Sequence, residues 1–367
     1  MVVTCISSTP PPVSDSRPDL AGARFRAEIG EQPDALLRLL ADTSAIAAAA
    51  RAIGRASPPF VRLVGHGSSD NAATYGTYAF GLLAGISAFR ASISLSVYYA
   101  ADEETALQPV VALSQSGRTP DVVEYVERAR RRGALTIAVT NEPTSELAEA
   151  AEIVVPLDAG PERAVAATKT YVNQLGAIAL LAGAIGGREG EIADGLRQTA
   201  ELLAGAVDTL GQPAADAARP LAFAGRLFAV GRGVEFATAR EVALKLTETC
   251  RIAAEPLTTT DLAHGPVAAL DPLFPVWAVA TRDPCLPTVL EAAKRVRAAG
   301  AFLIATGDAA PEVEGAAVRL PLPEAPVPVL SPLLSIIPGQ LVALALAEAR
   351  GLDPDKPAGL DKVTLAA

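Results

Sequence analysis

"VVALSQSGRTPDVVEYVERARRRGALTIAVT", Val110–Thr140, lies over "WAVATRDPCLPTVLEAAKRVRAAGAFLIATG", Trp277–Gly307, without a gap. Gly133 falls on Gly300, Ala134 on Ala301, Ile137 on Ile304 and Val122 on Val289. Each stretch reads as an apolar run, a turn, an amphipathic helix and a second apolar run. Runs such as "LTIAVT" and "AFLIAT" lack the in–out alternation of a half-solvated strand, so they read as strands buried on both faces. Strands alternating with amphipathic helices make a parallel sheet covered on both sides. The duplication extends outward, since "RLVGHG" ends at Gly67 and "RLFAVGRG" at Gly233. The fold class is therefore α/β, with two tandem doubly wound parallel-sheet domains of flavodoxin-like type.

A length of 367 residues suits two such domains. The expected division is an N-terminal arm with helices at 1–44, a first domain at 45–195 and a helical connector at 196–214. A second domain follows at 215–350 and a tail at 351–367. "RFRAEIGEQPDALLRLLAD" reads as a leading helix pair.

Hydrophobic residues make up 50% and aromatics only 4%, so the core is aliphatic and rich in alanine. The formal charge of −10 argues against nucleic acid as a partner, which needs a basic face. Cys5, Cys250 and Cys285 show no metal-ligand spacing, so inert thiols in a reducing compartment are expected, with no metal and no cofactor. The N-terminal "PPPVSDSRPD" has no basic segment before an apolar core, which points to a cytoplasmic protein. Ala325–Ala347 carries no charge and is long enough to span a bilayer. It also contains Pro326, Pro328, Pro332, Pro338, Gly339 and Gln340, and so reads as a loop and then a buried helix from about Ser331 to Arg350. No membrane partner is expected.

"SQSGRT", Ser114–Thr119, sits at a strand end and opens a helix. Free N–H groups and the macrodipole favour an anion there. Gly117 permits close backbone approach, and Ser114, Gln115, Ser116 and Thr119 add side-chain donors. A phosphate monoester suits such a site. A helix cap rich in hydroxyls, with Thr119 ahead of Pro120, explains the same residues. "GHGSSDNAATYG" places Gly67, Ser68 and Ser69 at the preceding strand end, so two strand ends face one crevice. The stretch lacks G-x-G-x-x-G, which disfavours a dinucleotide. In the second repeat Ser114, Gln115 and Ser116 become Thr281, Arg282 and Asp283. An aspartate would repel an anion, so the anion site belongs to the first half.

"GVEFATAREVALKLTETC" reads as a helix with Glu241, Lys245 and Glu248 on one face. By composition alone that face is a solvated, salt-bridged one. Its place at the crevice, ahead of the irregular "RIAAEPLTTTDLAHGP", points to chemistry. His264 lies in that loop and is one of two histidines, with His66. Isomerising a sugar phosphate needs a base between C1 and C2, an acid–base for ring opening and a phosphate anchor. Exchange of an amine at C2 can use a lysine.

These motifs resemble the sugar isomerase (SIS) domain family, whose phosphosugar loop reads S-x-S-G-x-T. The tandem arrangement is similar to the isomerase half of glutamine–fructose-6-phosphate aminotransferases and to SIS-type glucosamine-6-phosphate deaminases. "AEIGEQPDAL", "AATKTYVNQL", "REVALKLTE", "AEPLTTTDLAHGP" and "DPDKPAGLDKVT" match in order, from about Ala27 to the end. The resemblance implies Glu248 as the C1/C2 base with Glu241 and Lys245 in support. It implies His264 for ring opening, often from the neighbouring subunit of a homodimer, and Lys362 for a Schiff base. Arg118 stands where the transferase has an acidic residue, and Ala167 replaces a family serine that touches the sugar. The partner implied is a hexose or hexosamine 6-phosphate. The expected activity is conversion of glucosamine 6-phosphate to fructose 6-phosphate and ammonia. Glutamine hydrolysis is not expected, because Cys5 lies in a short Pro-rich arm. A dehydratase or lyase acting on an N-acylated sugar phosphate and a sugar-phosphate sensor are the alternatives.

Overall fold

The structure, a computed structural model, describes residues 21–101 and 106–362. Among these residues ten strands form two five-stranded sheets, and every strand pair is parallel. The first sheet holds β1 (Phe60–Val64), β2 (Ser87–Arg90), β3 (Val110–Ser114), β4 (Thr136–Thr140) and β5 (Ile153–Pro156). The second holds β6 (Arg226–Gly231), β7 (Ala253–Thr258), β8 (Pro275–Val279), β9 (Phe302–Gly307) and β10 (Val318–Pro321). Their orders are β2-β1-β3-β4-β5 and β7-β6-β8-β9-β10, so the halves share one topology. The sequence overlay survives in space: helices Pro120–Arg131 and Leu286–Ala298 occupy matching places, followed by β4 and β9.

The apolar runs are buried throughout β3, β4 and β8, as strands covered on both faces must be. The largest apolar cluster runs through both halves, from Phe25 and Leu63 to Val242 and Leu346. Trp277 is fully buried and donates its indole N–H to Thr306 Oγ1 at 3.1 Å, which satisfies its one polar atom.

The leading helix pair forms at Ala23–Gly30 and Gln32–Ala41, and a 30-residue helix, Glu189–Ala218, with Pro213 inside it, joins the first half to the second. The charge-free segment forms a short turn and two helices, Ser331–Ser335 and Ile337–Ala349. Pro328–Ala349 is long and apolar enough to cross a membrane, yet 94% of its most apolar window is buried inside the fold. Gly339 explains how tightly it packs, since a Cβ there would lie 2.6 Å from a Val242 methyl. Cys250 is buried and Cys285 half-buried, and both are free thiols. Cys5 lies outside the described residues.

A candidate active site at the switch point of the first sheet

Strand order reverses between β1 and β3, and the crevice beyond their C-terminal ends is where open α/β sheets take ligands. The loop after β1 leads into helix Ser68–Ala79, and the loop after β3 into helix Pro120–Arg131. Between them lies a cleft of about 430 Å³. Gly67, Ser68, Ser69, Ser114, Gln115, Ser116 and Thr119 all line it, as do Ala167, Glu248 and Lys362.

The Ser114–Thr119 loop is shaped from within. Ser114 Oγ accepts from Gly117 N at 3.1 Å and Ser116 Oγ from Arg118 N at 3.3 Å. Gly117 has φ +63°, and a Cβ there would collide with the Ser145 side chain. Only glycine closes the turn this tightly. Thr119 occupies the N-cap position but makes no side-chain capping bond, and its hydroxyl lies 3.5 Å from Ser114 Oγ. Arg118 is exposed, 3.9 Å from Glu146, and is not among the residues that line the cleft. Ser69 is fixed by Gln174, whose amide donates to its Oγ at 2.9 Å.

Helix Glu235–Cys250 crosses helix Ser68–Ala79 and brings in the charged trio. It is not the solvated face that composition suggests. Glu241 and Lys245 are fully buried. Glu241 accepts from Ser68 Oγ at 2.8 Å and from Asn71 Nδ2 at 2.7 Å. Lys245 Nζ lies 3.3 Å from Glu241 Oε1 and 2.7 Å from Glu248 Oε2. Burial alone would discharge Lys245, but Glu248 and Glu241 outweigh it and hold the ammonium above its ordinary range. Burial pushes the Glu241 carboxyl up, against the pull of Lys245 and Asn71. Only Glu248 reaches the cleft, so the cluster presents one carboxylate and anchors it from behind.

Lys362 comes from the tail. Asp355 accepts from Arg24 N at 3.0 Å and Phe25 N at 2.7 Å, capping the first helix from the far end of the chain. Asp353 accepts from Gly22 N at 3.1 Å, and Val165 N donates to the Asp355 carbonyl at 3.1 Å. Lys362 then donates to Glu162 Oε2 at 2.9 Å. Glu162 also accepts from Thr168 N, Thr170 N and Thr170 Oγ1. Burial would raise its carboxyl, but Lys362 and these donors hold it below its ordinary value. Glu28 accepts from Arg163 N at 2.5 Å, and burial pushes its carboxyl up to about 7.

His264 stands apart. It ends the short helix Thr259–Ala263, which opens on a Thr258–Asp261 capping box, and its side chain is exposed rather than turned into the cleft of its own chain. The matching crevice of the second half is filled by the chain itself. Asp283 Oδ1 accepts from Cys285 N at 2.8 Å and Asp308 Oδ1 from Arg282 N at 3.0 Å, so carboxylates take the N–H groups an anion would use. Glu235 is buried beside them and accepts from Ser331, Thr238 and Ser335, and burial pushes its carboxyl up to about 7.

The cleft also contains His66, Asp121, Val165, Leu360 and Asp361, which motif reading passed over. His66 had a signal, as one of two histidines and set between Gly65 and Gly67. Leu360 and Asp361 neighbour Lys362 in the tail motif, whereas Val165 had no signal, because only folding brings its loop against the tail.

The duplicated doubly wound fold and this strand-end cleft define a class, and the sequence comparison agrees. The chain belongs to the SIS domain family, whose model matches residues 61–184 and again 221–348. A glutamine–fructose-6-phosphate aminotransferase of Aeropyrum pernix is 36% identical over 352 residues, covering 91% of this chain and 56% of that protein. The chain thus spans about half the length of the curated relatives it matches. A candidate phosphosugar isomerase from Silicibacter pomeroyi superposes with a TM-score of 0.79 at 33% identity, covering 91% of this chain and 100% of that one. The C-terminal domain of the Francisella tularensis glucosamine–fructose-6-phosphate aminotransferase gives 0.84 at 26% identity, over 94% and 100%.

Proposed function

We propose that the chain is an aldose–ketose isomerase and deaminase of hexosamine 6-phosphates, converting glucosamine 6-phosphate to fructose 6-phosphate and ammonia. The observation that carries this is the meeting of the Ser114–Thr119 loop, Glu248 and Lys362 on one cleft. The phosphate sits at the loop, where Ser69, Ser114, Gln115, Ser116 and Thr119 add donors to the N–H groups of the helix start. Glu248 takes the C2 proton of the open-chain aldehyde and returns it to C1, while a proton of the C2 amine passes to O1, leaving a C1 hydroxyl and an imine at C2. The Lys362 amine adds at C2 and expels ammonia, and water then releases fructose 6-phosphate and the free lysine. Glu241 and Lys245 hold Glu248 in place. A homodimer is part of the proposal, because His264 can serve a cleft only from a second copy.

In the proposed reaction the nitrogen is released from the amino sugar. Burial pushes the Cys250 thiol up to about 11 and raises that of Cys285, so neither offers the ready thiolate that amide hydrolysis needs. The test is a coupled assay on glucosamine 6-phosphate, in which ammonia and fructose 6-phosphate should appear in equal amounts. Neither ammonia release nor 1,2-isomerisation on any hexosamine phosphate would overturn the assignment.

A further inference from the structure

We infer that Glu162 is the positioning residue of the amine exchange, a buried counter-ion that holds Lys362 at the cleft and matches the positive charge of that step. The role rests on the deaminase reading proposed above. Lys362 Nζ donates to Glu162 Oε2 at 2.9 Å, and the two side chains are 24% and 0% exposed. Lys362 lines the cleft and Glu162 is not among the residues that do, so the carboxylate reaches a bound sugar only through the lysine. The carboxylate is itself fixed. Its Oε1 accepts from Thr168 N at 2.9 Å and from Thr170 N at 3.1 Å, at the start of helix Lys169–Ile185. Its Oε2 accepts from Thr170 Oγ1 at 2.7 Å. One oxygen thus closes a helix start, where the macrodipole favours an anion, and the other meets the lysine.

A buried carboxylate needs a positive partner that does not leave. Amine exchange at C2 meets that need at every stage. The Lys362 ammonium gives one proton to the neutral C2 imine, and the freed amine adds to the resulting iminium carbon. The new Nζ–C2 bond leaves the positive charge on Nζ. A proton then moves from Nζ to the substrate nitrogen and the C2–N bond breaks. Ammonia leaves with that electron pair, and the Nζ lone pair forms the C2=Nζ iminium. Water adds at C2, releasing fructose 6-phosphate and Lys362 as an ammonium again. One positive charge stays on Nζ, C2 and the leaving nitrogen from first to last, so Glu162 remains ionised and gives up no partner.

Three variants separate this role from that of a helix cap. Glu162→Gln keeps the shape and an acceptor for the two N–H groups but removes the charge. Glu162→Asp keeps the charge on a shorter arm. Thr170→Val removes a bond to the carboxylate and keeps its charge. Each is assayed for ammonia release from glucosamine 6-phosphate and for Kd of an acyclic hexitol 6-phosphate, which has no carbonyl. Borohydride reduction with fructose 6-phosphate, read by peptide mass spectrometry, gives the fraction of Lys362 trapped as its adduct. Glu162→Gln should lower kcat by about 10²-fold and the trapped fraction with it, at unchanged Kd. Glu162→Asp should recover part of both, and Thr170→Val should lose far less of either. Wild-type turnover and trapping in Glu162→Gln sink this inference. So does an equal loss in Thr170→Val, since packing of the loop and not charge would then set Lys362. If Glu162→Gln does not fold, Glu162→Asp decides: wild-type turnover and trapping sink the inference, and a loss of both at unchanged Kd supports it. A wild type that turns over without a trapped Lys362 sinks this inference and leaves the deaminase standing. A wild type without turnover on any hexosamine phosphate sinks both.

Discussion

Ser68 Oγ, from the helix after β1, donates to Glu241 Oε1, from the helix after β6, at 2.8 Å across the contact between the two halves. Glu241 has no exposed surface, and neither has Lys245 behind it. The wall of the cleft and the support of Glu248 are therefore one hydrogen-bonded unit. Removing one member of a buried ion cluster leaves the other charge uncompensated. Glu241→Ala should cost about 3–5 kcal/mol of stability, and Ser68→Ala about 1–3 kcal/mol, both measured by urea unfolding. An unfolding midpoint of Glu241→Ala equal to that of the wild type would show that the cluster holds nothing together.

Gly117→Ala tests the loop itself. A Cβ at φ +63° would meet Ser145, so the turn must open. The rest of the first sheet does not depend on the turn, and the fold should survive with a normal circular dichroism spectrum. The thermal shift given by hexose 6-phosphates should disappear. For the wild type that stabilisation is about 2.7 kcal/mol at a ligand concentration near 100 times Kd.

Glu248→Gln and Ser116→Ala should divide chemistry from binding. Glutamine keeps the shape of Glu248 and removes its basicity, so kcat should fall about 10²–10⁴-fold with little change in phosphosugar affinity. Ser116→Ala should act in reverse, raising KM first, because the serine lies on the proposed phosphate loop. Equal effects of both variants on KM and kcat would refute this division of labour.

Glu235 gives a pH dependence of stability. Its folded carboxyl is pushed from 4.5 up to about 7 by burial, so the folded state holds a proton that the unfolded state releases. The stabilisation is complete below pH 4.5 and is lost as pH rises through 7. Glu235→Gln removes that loss. Relative to wild type it should gain stability between pH 5 and pH 8, by up to roughly 3 kcal/mol. A constant difference in unfolding free energy across that range would show that Glu235 does not titrate there.

The sequence carried the architecture because its two signals are local and duplicated. Apolar runs such as "LTIAVT" need no distant partner to be recognised as doubly covered strands, and the overlay of Gly133 on Gly300 repeats one unit twice. The loop at Ser114–Thr119 was legible for the same reason, since a helix start supplies its N–H groups from adjacent residues. Spacing on one helix also placed Glu241, Lys245 and Glu248 on one face. Their burial was not legible, because it depends on Ser68 and Asn71 arriving from another helix.

What only the tertiary structure decided lies at long sequence separation. Lys362 and Glu162 are 200 residues apart, and they meet because Asp353 and Asp355 tie the tail to Gly22, Arg24 and Phe25. His66 and Asp121 become a pair because β1 and β3 are neighbours at the switch point. His264, by contrast, ends up exposed, away from the cleft of its own chain. By itself the sequence determined the duplicated sheets and the Ser114–Thr119 turn at a helix start, since strand burial and helix-start donors are set within a few residues. The set of side chains that shares one cleft was decided by the closing of distant segments onto one another, and no local pattern encodes that.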